Sequence, residues 1–410
     1  MSILNVNQIQ PVGSGQTVTI SATNISAGSA TVTAGTFSGG VTVTSGNLTG
    51  ITSVSTSNLT VNGNAYPATG PLSNRNLIIN GAMQVAQRGT TITDVGVDTY
   101  TLDRWKQFAQ VGGMTGRSTV TQETITDLEG FRTALKLQVT TAETPAATES
   151  YGLNTRLEAQ DILGLDIGGS NSKSLTLSFW AKAPTGNGTF CAGIVMAGGG
   201  HYFEEVTIGT TWSRHVVNIP ATTTSSNATT ATGTATGIEV QITLMAGSSV
   251  DDLTNGVWQS STSSRCTSNQ SNFYSSTSNN LWVTGVQLEV GSVATPFEHR
   301  SYGDELLRCQ RYYCQSVPGS RTAPNMTNEM LFGRAESYLS WTYPVIMRAV
   351  PSVVTSNDTG TGVGYYTVSS VNNYTNGTVL RNGVNQYALL TPSSNASYNT
   401  KTGYNADAEL

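Results

Sequence analysis

Between residues 75 and 300 the chain alternates apolar and polar positions. Leu175, Leu177, Phe179 and Ala181 take every second place, with Thr176, Ser178, Trp180 and Lys182 between them. Ile238, Val240, Ile242 and Leu244 alternate with Glu239, Gln241 and Thr243. Leu135, Leu137 and Val139 follow the same rule, as do Trp282, Thr284, Val286, Leu288 and Val290. A strand turns successive side chains to opposite faces, so each run predicts a strand with one buried face. Loops rich in Gly, Ser and Asn separate the runs, which is the pattern of an antiparallel sandwich or jelly roll. The polar stretch from Ser260 to Asn280 reads as a surface loop.

One segment has a helical period instead. Ser301-Tyr302-Gly303-Asp304 resembles a capping box, and Leu306, Leu307, Gln310 and Tyr313 follow on one face. A helix over about 304–315, stopped by Pro318, is expected.

The N-terminal stretch has a longer repeat. Thr36-Phe37-Ser38, Asn47-Leu48-Thr49 and Asn58-Leu59-Thr60 recur at a fixed spacing, with Gly35, Gly46 and Ser57 before them. Each unit reads as a short strand pair that cannot bury its own apolar face. Stacked copies, or three chains wound around one axis, can. Tyr66-Pro67-Ala68-Thr69-Gly70-Pro71 then marks a linker. The expected chain is all-β in four parts. Residues 1–71 form a repetitive, trimeric β shaft and 72–300 a central β-sandwich or jelly roll. Residues 301–317 carry a short connecting helix, and 318–410 form a small C-terminal β domain.

Composition narrows the function classes. Charged residues are 11% of the 410, and the net charge is -5. No basic run is present to neutralise phosphates, so nucleic acid is not an expected partner. Hydrophobic residues at 37% suffice for folded cores. The opening MSILNVNQIQP lacks the features of a signal peptide, and no stretch is long enough for a membrane span, so no membrane insertion is expected. Cys191, Cys266, Cys309 and Cys314 are too scattered for a disulfide scaffold and read as reduced thiols of a protein folded in a cytoplasm.

Candidate chemistry is sparse. His201, His215 and His299 lie far apart without metal-ligand spacing, so no metal or other cofactor is expected. The doublets Glu204-Glu205 and Asp251-Asp252 place adjacent carboxylates on opposite faces of a strand, which does not suit glycoside hydrolysis. Gly360, Gly362 and Gly364 read as a turn, and no nucleophile elbow is present. A non-enzymatic binding role is what remains. Tyr365, Tyr366, Tyr374, Tyr387, Tyr398 and Tyr404 stand in Asn-, Ser- and Gly-rich surroundings and are the candidate receptor-binding residues.

Longer motifs carry a resemblance. Asn76-Leu77-Ile78-Ile79-Asn80-Gly81-Ala82-Met83-Gln84-Val85-Ala86-Gln87-Arg88-Gly89 and Asp103-Arg104-Trp105 resemble the opening of a domain common in bacteriophage tail-fibre proteins. Val283 to Gly291, Ala294 to Arg300 and Glu305 to Tyr313 resemble its close, and Tyr343 to Pro351 a segment that follows it. Leu4-Asn5-Val6-Asn7-Gln8-Ile9 resembles fibre N-termini of marine and cyanobacterial phages. The resemblance implies a homotrimer in the virion, assembled in the host cytoplasm. Leu4, Val6 and Ile9 would lie where it attaches to a tail or baseplate adaptor protein. The distal end would bind a host cell-surface polysaccharide such as lipopolysaccharide. The middle part is also similar to carbohydrate-binding jelly rolls, in Leu177 to Lys182 and in Trp212, His215 and Pro220. Those modules often carry an aspartate pair at a calcium site near the last strand, and Thr284-Gly285 stands there instead. A tailspike depolymerase and a purely structural virion connector are the alternative readings.

Overall fold

The computed structural model describes residues 74–96, 98–109, 114–260, 264–315, 342–352, 383–384 and 406–410 in full. Further strands between 59 and 66 and between 331 and 405 are given by their backbone alone. The chain divides into two compact units, Met1–Thr56 and Ser57–Leu410, and the second is the one described. The repeats before Leu59 lie outside the described residues.

A short hairpin, β1 (Leu59–Val61) with β2 (Asn64–Tyr66), opens the unit. Twelve strands then build the sandwich: β3 (Thr91–Val95), β4 (Thr99–Tyr100), β5 (Lys106–Gln110), β6 (Arg117–Thr124), β7 (Thr133–Thr141) and β8 (Ser150–Glu158). After a 3-10 turn at Ala159–Leu165 come β9 (Leu175–Thr185), β10 (Gly188–Met196), β11 (His201–Ile208), β12 (Ser213–Ile219), β13 (Thr236–Ala246) and β14 (Asn280–Val290). The first sheet has the order β11-β10-β13-β8-β5-β4 and the second β12-β9-β14-β7-β6-β3. All pairings are antiparallel, and the chain crosses repeatedly between the sheets, as in a jelly roll.

The apolar faces meet in one core. Leu175, Leu177, Phe179 and Ala181 from the second sheet face Ile238, Val240, Ile242 and Leu244 from the first, all fully or almost fully buried. The alternation read from the sequence is what packs here. β14 departs from it. Leu281 and Val283 point inward, then Val286 and Leu288 do, because the pairing with β9 shifts between Thr284 and Gln287. Gly285 adopts φ +61 in this bulge, where an added Cβ would strike the Phe131 ring. The inserted residue swaps the face parity, so Trp282 lies outward while Val286 lies inward.

The polar stretch expected as a surface loop is a second correction. Ser264–Thr267, Phe273, Tyr274 and Asn279 are buried. Polar side chains can go inside when their hydrogen bonds are met. Thr267 donates to Glu205 (2.6 Å), Gln270 to the Thr243 carbonyl (3.0 Å), and Asn279 to the Phe273 carbonyl (2.8 Å).

The helix is α1 (Tyr302–Gln310), capped by Ser301, whose hydroxyl accepts from the Asp304 amide (3.1 Å). It ends before Arg311, well ahead of Pro318, and β15 (Tyr313–Gln315) follows. Its buried positions are Glu305 and Cys309; Leu307 is exposed. The remaining strands are β16 (Leu331–Gly333), β17 (Glu336–Thr342), β18 (Ser352–Ser356), β19 (Tyr366–Thr367), β20 (Thr378–Asn382), β21 (Gln386–Pro392), β22 (Tyr398–Lys401) and β23 (Gly403–Asp407). Together with β15 they make three three-stranded sheets, and β23 lies between β15 and β18.

Candidate functional site

The motif segments, scattered over more than 200 positions, meet in one buried polar network. Asn76 donates to the Val286 carbonyl (3.0 Å), and its amide N–H donates to Glu298 (2.9 Å). The Asn80 side chain donates to the carbonyls of Val85 (2.8 Å) and Asp103 (2.9 Å), and its backbone N–H to Glu305 (2.6 Å). Gln87 donates to Asp103 (2.6 Å) and to the Tyr313 carbonyl (2.8 Å). Arg300 donates to the carbonyls of Ile78 (2.9 Å) and Asn76. Burial pushes the Asp103 carboxyl up to about 6, against the pull of Arg88 and the Gln87 hydrogen bonds.

Two arginines extend the network to the last residues. Glu409, almost fully buried, pairs with Arg88 (3.3 Å) and with Arg104. The Arg88 guanidinium lies 3.7 Å from the Tyr313 ring centre and that of Arg104 3.5 Å from Tyr312. Burial opposes both charges, but Glu409 first, with Asp407 and Asp103 around Arg88 and Tyr312 and Tyr100 around Arg104, together outweigh it and both pKa values rise. These motif residues hold backbone and one another. They are a clamp, not a ligand surface.

A different set of polar groups is underemployed. On the outer face of the first sheet, cross-strand pairing puts Arg156 beside Glu239 and Asn154 beside Gln241. Glu239 Oε1 takes the Arg156 guanidinium at 2.8 Å. Glu239 Oε2 accepts from the amide nitrogens of both Asn154 (3.1 Å) and Gln241 (2.8 Å). One carboxylate therefore fixes which way both amides point. Their carbonyl oxygens, with Arg156 Nε, are buried without a hydrogen-bond partner.

His201 continues this face two strands away, through the pairs Glu239–Val195 and Val195–His201. Neither of its ring nitrogens has a partner. Burial, and then the neighbouring Arg265, push its pKa down to about 4, so the ring is neutral at neutral pH. Arg265 stands near Glu239 as well, and burial lowers its pKa while Glu239 raises it. The face thus joins an ion pair, two oriented amides, a neutral imidazole and a second guanidinium. Buried polar atoms without partners are uncommon in native proteins, and this face holds several of them, on Asn154, Arg156, His201 and Gln241. Sequence reading missed them because Glu239 and Gln241 register there only as the polar half of an alternating strand.

On the outer face of the second sheet the charged groups are paired, although the Trp212 indole nitrogen is buried without a partner in hydrogen-bond geometry. Trp282 pairs across strands with Lys182 on one side and Lys136 on the other. Lys136 Nζ lies 4.8 Å from the Trp282 ring centre, and Lys182 Nζ lies 4.8 Å from Trp212 and 5.3 Å from Trp282. Lys136 pairs with Glu123 (2.9 Å) and Lys182 with Asp127. The Lys182 ammonium, then the Trp212 indole, hold the Asp127 carboxyl below its ordinary range.

The other sequence candidates are not brought together. His215 meets Ser213 (3.0 Å) and His299 packs between Phe131 and Phe297. Glu204 accepts from Tyr202 (2.7 Å), whereas Glu205 accepts from Thr267. Thr284 donates to the Thr133 carbonyl (2.8 Å). Among the described residues no three His, Cys, Asp or Glu side chains form a metal-holding group. Tyr366 and Tyr398 lie on strands of one sheet, Tyr387 and Tyr404 on two others, all placed by backbone alone. Tyr365, Tyr374, Leu4, Val6 and Ile9 lie outside the described residues.

No protein-family profile and no curated protein matches the chain. Several solved structures are similar to it. An enzymatically active domain of tailspike protein 4 from bacteriophage CBA120 is 13% identical over 52% of this chain, with TM-score 0.27; the match spans 21% of that chain. A putative sugar binding protein from Bacteroides thetaiotaomicron is 14% identical over 53% of this chain and 100% of its own, with TM-score 0.30. The family 11 carbohydrate-binding module of a Clostridium thermocellum cellulosomal cellulase is 12% identical over 51% of this chain and 98% of its own, with TM-score 0.25.

Proposed function

We propose that the chain is a structural subunit of a bacteriophage tail fibre and that its sandwich binds a host cell-surface glycan on the outer face of the first sheet. The observation that carries the glycan reading is the pair of amide oxygens on Asn154 and Gln241, oriented by Glu239 and left without donors. Such oxygens can accept from a ligand that donates, and Arg156 Nε can give to one that accepts, when the chain over the buried Asn154 and Gln241 side chains opens to admit it. A sugar hydroxyl does both. The fibre reading rests on the motif resemblance and on the apolar repeats before residue 60. In a homotrimer, three weak sites act together at high effective concentration. Leu4, Val6 and Ile9 would anchor the assembly to the tail adaptor.

The test is binding of the intact protein to polysaccharide from susceptible cells, lipopolysaccharide first. Gln241→Met keeps the shape and removes the carbonyl. Combined with Asn154→Ala it should weaken binding about thirty-fold, at roughly 1 kcal/mol per lost hydrogen bond. Unchanged affinity in a variant that melts like the parent sinks the assignment of this face and points to the C-terminal tyrosines. Shortened polysaccharide chains after incubation would make the protein a depolymerase instead.

A further inference from the structure

Cys191 and Cys266 are free, buried thiols in one cluster of the first sheet's outer face. Cys191 sits on β10, flanked in the sheet by Glu205 on β11 and Thr243 on β13. The segment carrying Cys266 is anchored to those same two neighbours. The Arg265 carbonyl accepts from the Thr243 hydroxyl at 3.0 Å, and the Thr267 hydroxyl donates to Glu205 at 2.6 Å. With residues 265 and 267 fixed to either side of Cys191, the residue between them is set over it. Both thiols are wholly buried in one small apolar cluster with Val195, Phe203 and Leu253. Cys309 and Cys314, also buried, lie in other surroundings: Cys309 on α1, and Cys314 on β15, where its sulfur meets that of Met347.

We propose that Cys191 and Cys266 are a latent disulfide site, reduced in the cytoplasm and closed by thiol–disulfide exchange once the protein meets an oxidising medium. With a small-molecule disulfide such as oxidised glutathione as acceptor, one cysteine thiolate attacks a glutathione sulfur and expels glutathione thiolate. The second cysteine thiolate attacks the resulting mixed disulfide and expels the other glutathione. One protein disulfide forms, one glutathione disulfide is consumed, and the two protons end on two glutathione thiols. Burial pushes the Cys191 thiol up to about 11 and the Cys266 thiol further still, with Cys191 adding to the latter. Exchange is therefore slow and follows opening of the segment that covers Cys191. Closure would pin Arg265, next in the chain to Cys266, over the face that holds Glu239 and His201.

The experiment incubates the full chain with oxidised glutathione at mildly alkaline pH, quenches with an alkylating reagent in denaturant, and maps the peptides. A peptide pair joined through Cys191 and Cys266 is expected, with Cys309 and Cys314 alkylated. Cross-linked protein should melt at a higher temperature than its reduced form, a shift that Cys191→Ser and Cys266→Ser each abolish. Alkylation of both Cys191 and Cys266, a stable glutathione adduct on either without a cross-link, or a cross-link through Cys309 or Cys314 would overturn the proposal. The same incubation in urea below the unfolding transition keeps the outcome decisive, since it opens the covering segment without unfolding the sandwich.

Discussion

Removing the Glu409 carboxylate tests the clamp at its most charged point. Arg104 is 1% exposed and Glu409 3%, so the pair is shielded from solvent on both sides. Arg88 keeps a second acid, Asp407 at 3.0 Å, and loses less. Arg104 keeps only the Arg156 carbonyl and the Tyr312 ring. Its guanidinium cannot lose its proton at any ordinary pH, so Glu409→Ala leaves a buried charge without a counter-ion. Breaking such a pair from one side costs about 3–5 kcal/mol. For a unit of this size that corresponds to a fall in Tm of roughly 5 °C. Replacing both partners with methionine should recover much of the loss, because the desolvation cost disappears with the charge. Urea unfolding followed by tryptophan fluorescence measures each variant, and Trp105 beside Arg104 reports locally. A Glu409→Ala loss below about 1 kcal/mol, or a double variant no better than the single one, would falsify the reading of Glu409 as the counter-charge of Arg104.

Two other outcomes follow from the same geometry. The folded Asp103 carboxyl, at about 6, sits above the ordinary value of about 3.9, so the native state holds the proton longer than the unfolded chain does. Its contribution to stability is full below pH 4 and is lost as pH rises through about 6, on the order of 3 kcal/mol; Asp103→Asn should flatten that slope in pH-dependent unfolding. An unchanged slope refutes the assignment. Gly81→Ala would put a Cβ 2.2 Å from the Val286 carbonyl oxygen, inside the bulge of β14. It should cost roughly 2–4 kcal/mol by thermal denaturation; a neutral result would mean the bulge can yield.

Legibility tracked the hydrophobic period. β9 over Leu175–Ala181 and β13 over Ile238–Leu244 alternate, and both were readable because one face of each fills the core. The parity change in β14 was hidden, since Gly285 carries no side chain to mark the inserted residue and Thr284 looks like an ordinary strand position. Ser264 to Asn279 misled for another reason. Hydrophilic composition signals exposure only when the hydrogen bonds go to water, and here they go to Glu205, Thr243 and Phe273. The cap at Ser301 was legible because its partner is local. The clamp motifs were visible as sequence but not as mechanism, because Asn76 and Glu298 meet only after the whole sandwich has closed. The pairing of Asn154 with Gln241 is invisible for the same reason.

The clamp has a mechanical meaning. Arg75 donates to the Pro296 carbonyl (3.2 Å), Asn76 N–H to Glu298 (2.9 Å), Arg300 to Ile78 (2.9 Å) and Arg308 to Asn74 (3.2 Å). The chain therefore goes into the sandwich and comes out of it at one place, side by side. Tension applied through residue 74 on one side and α1 on the other crosses this short bridge directly, and the twelve strands hang beside the line of force. A module mounted that way can be pulled, enlarged in its loops or exchanged without interrupting the thread that carries it.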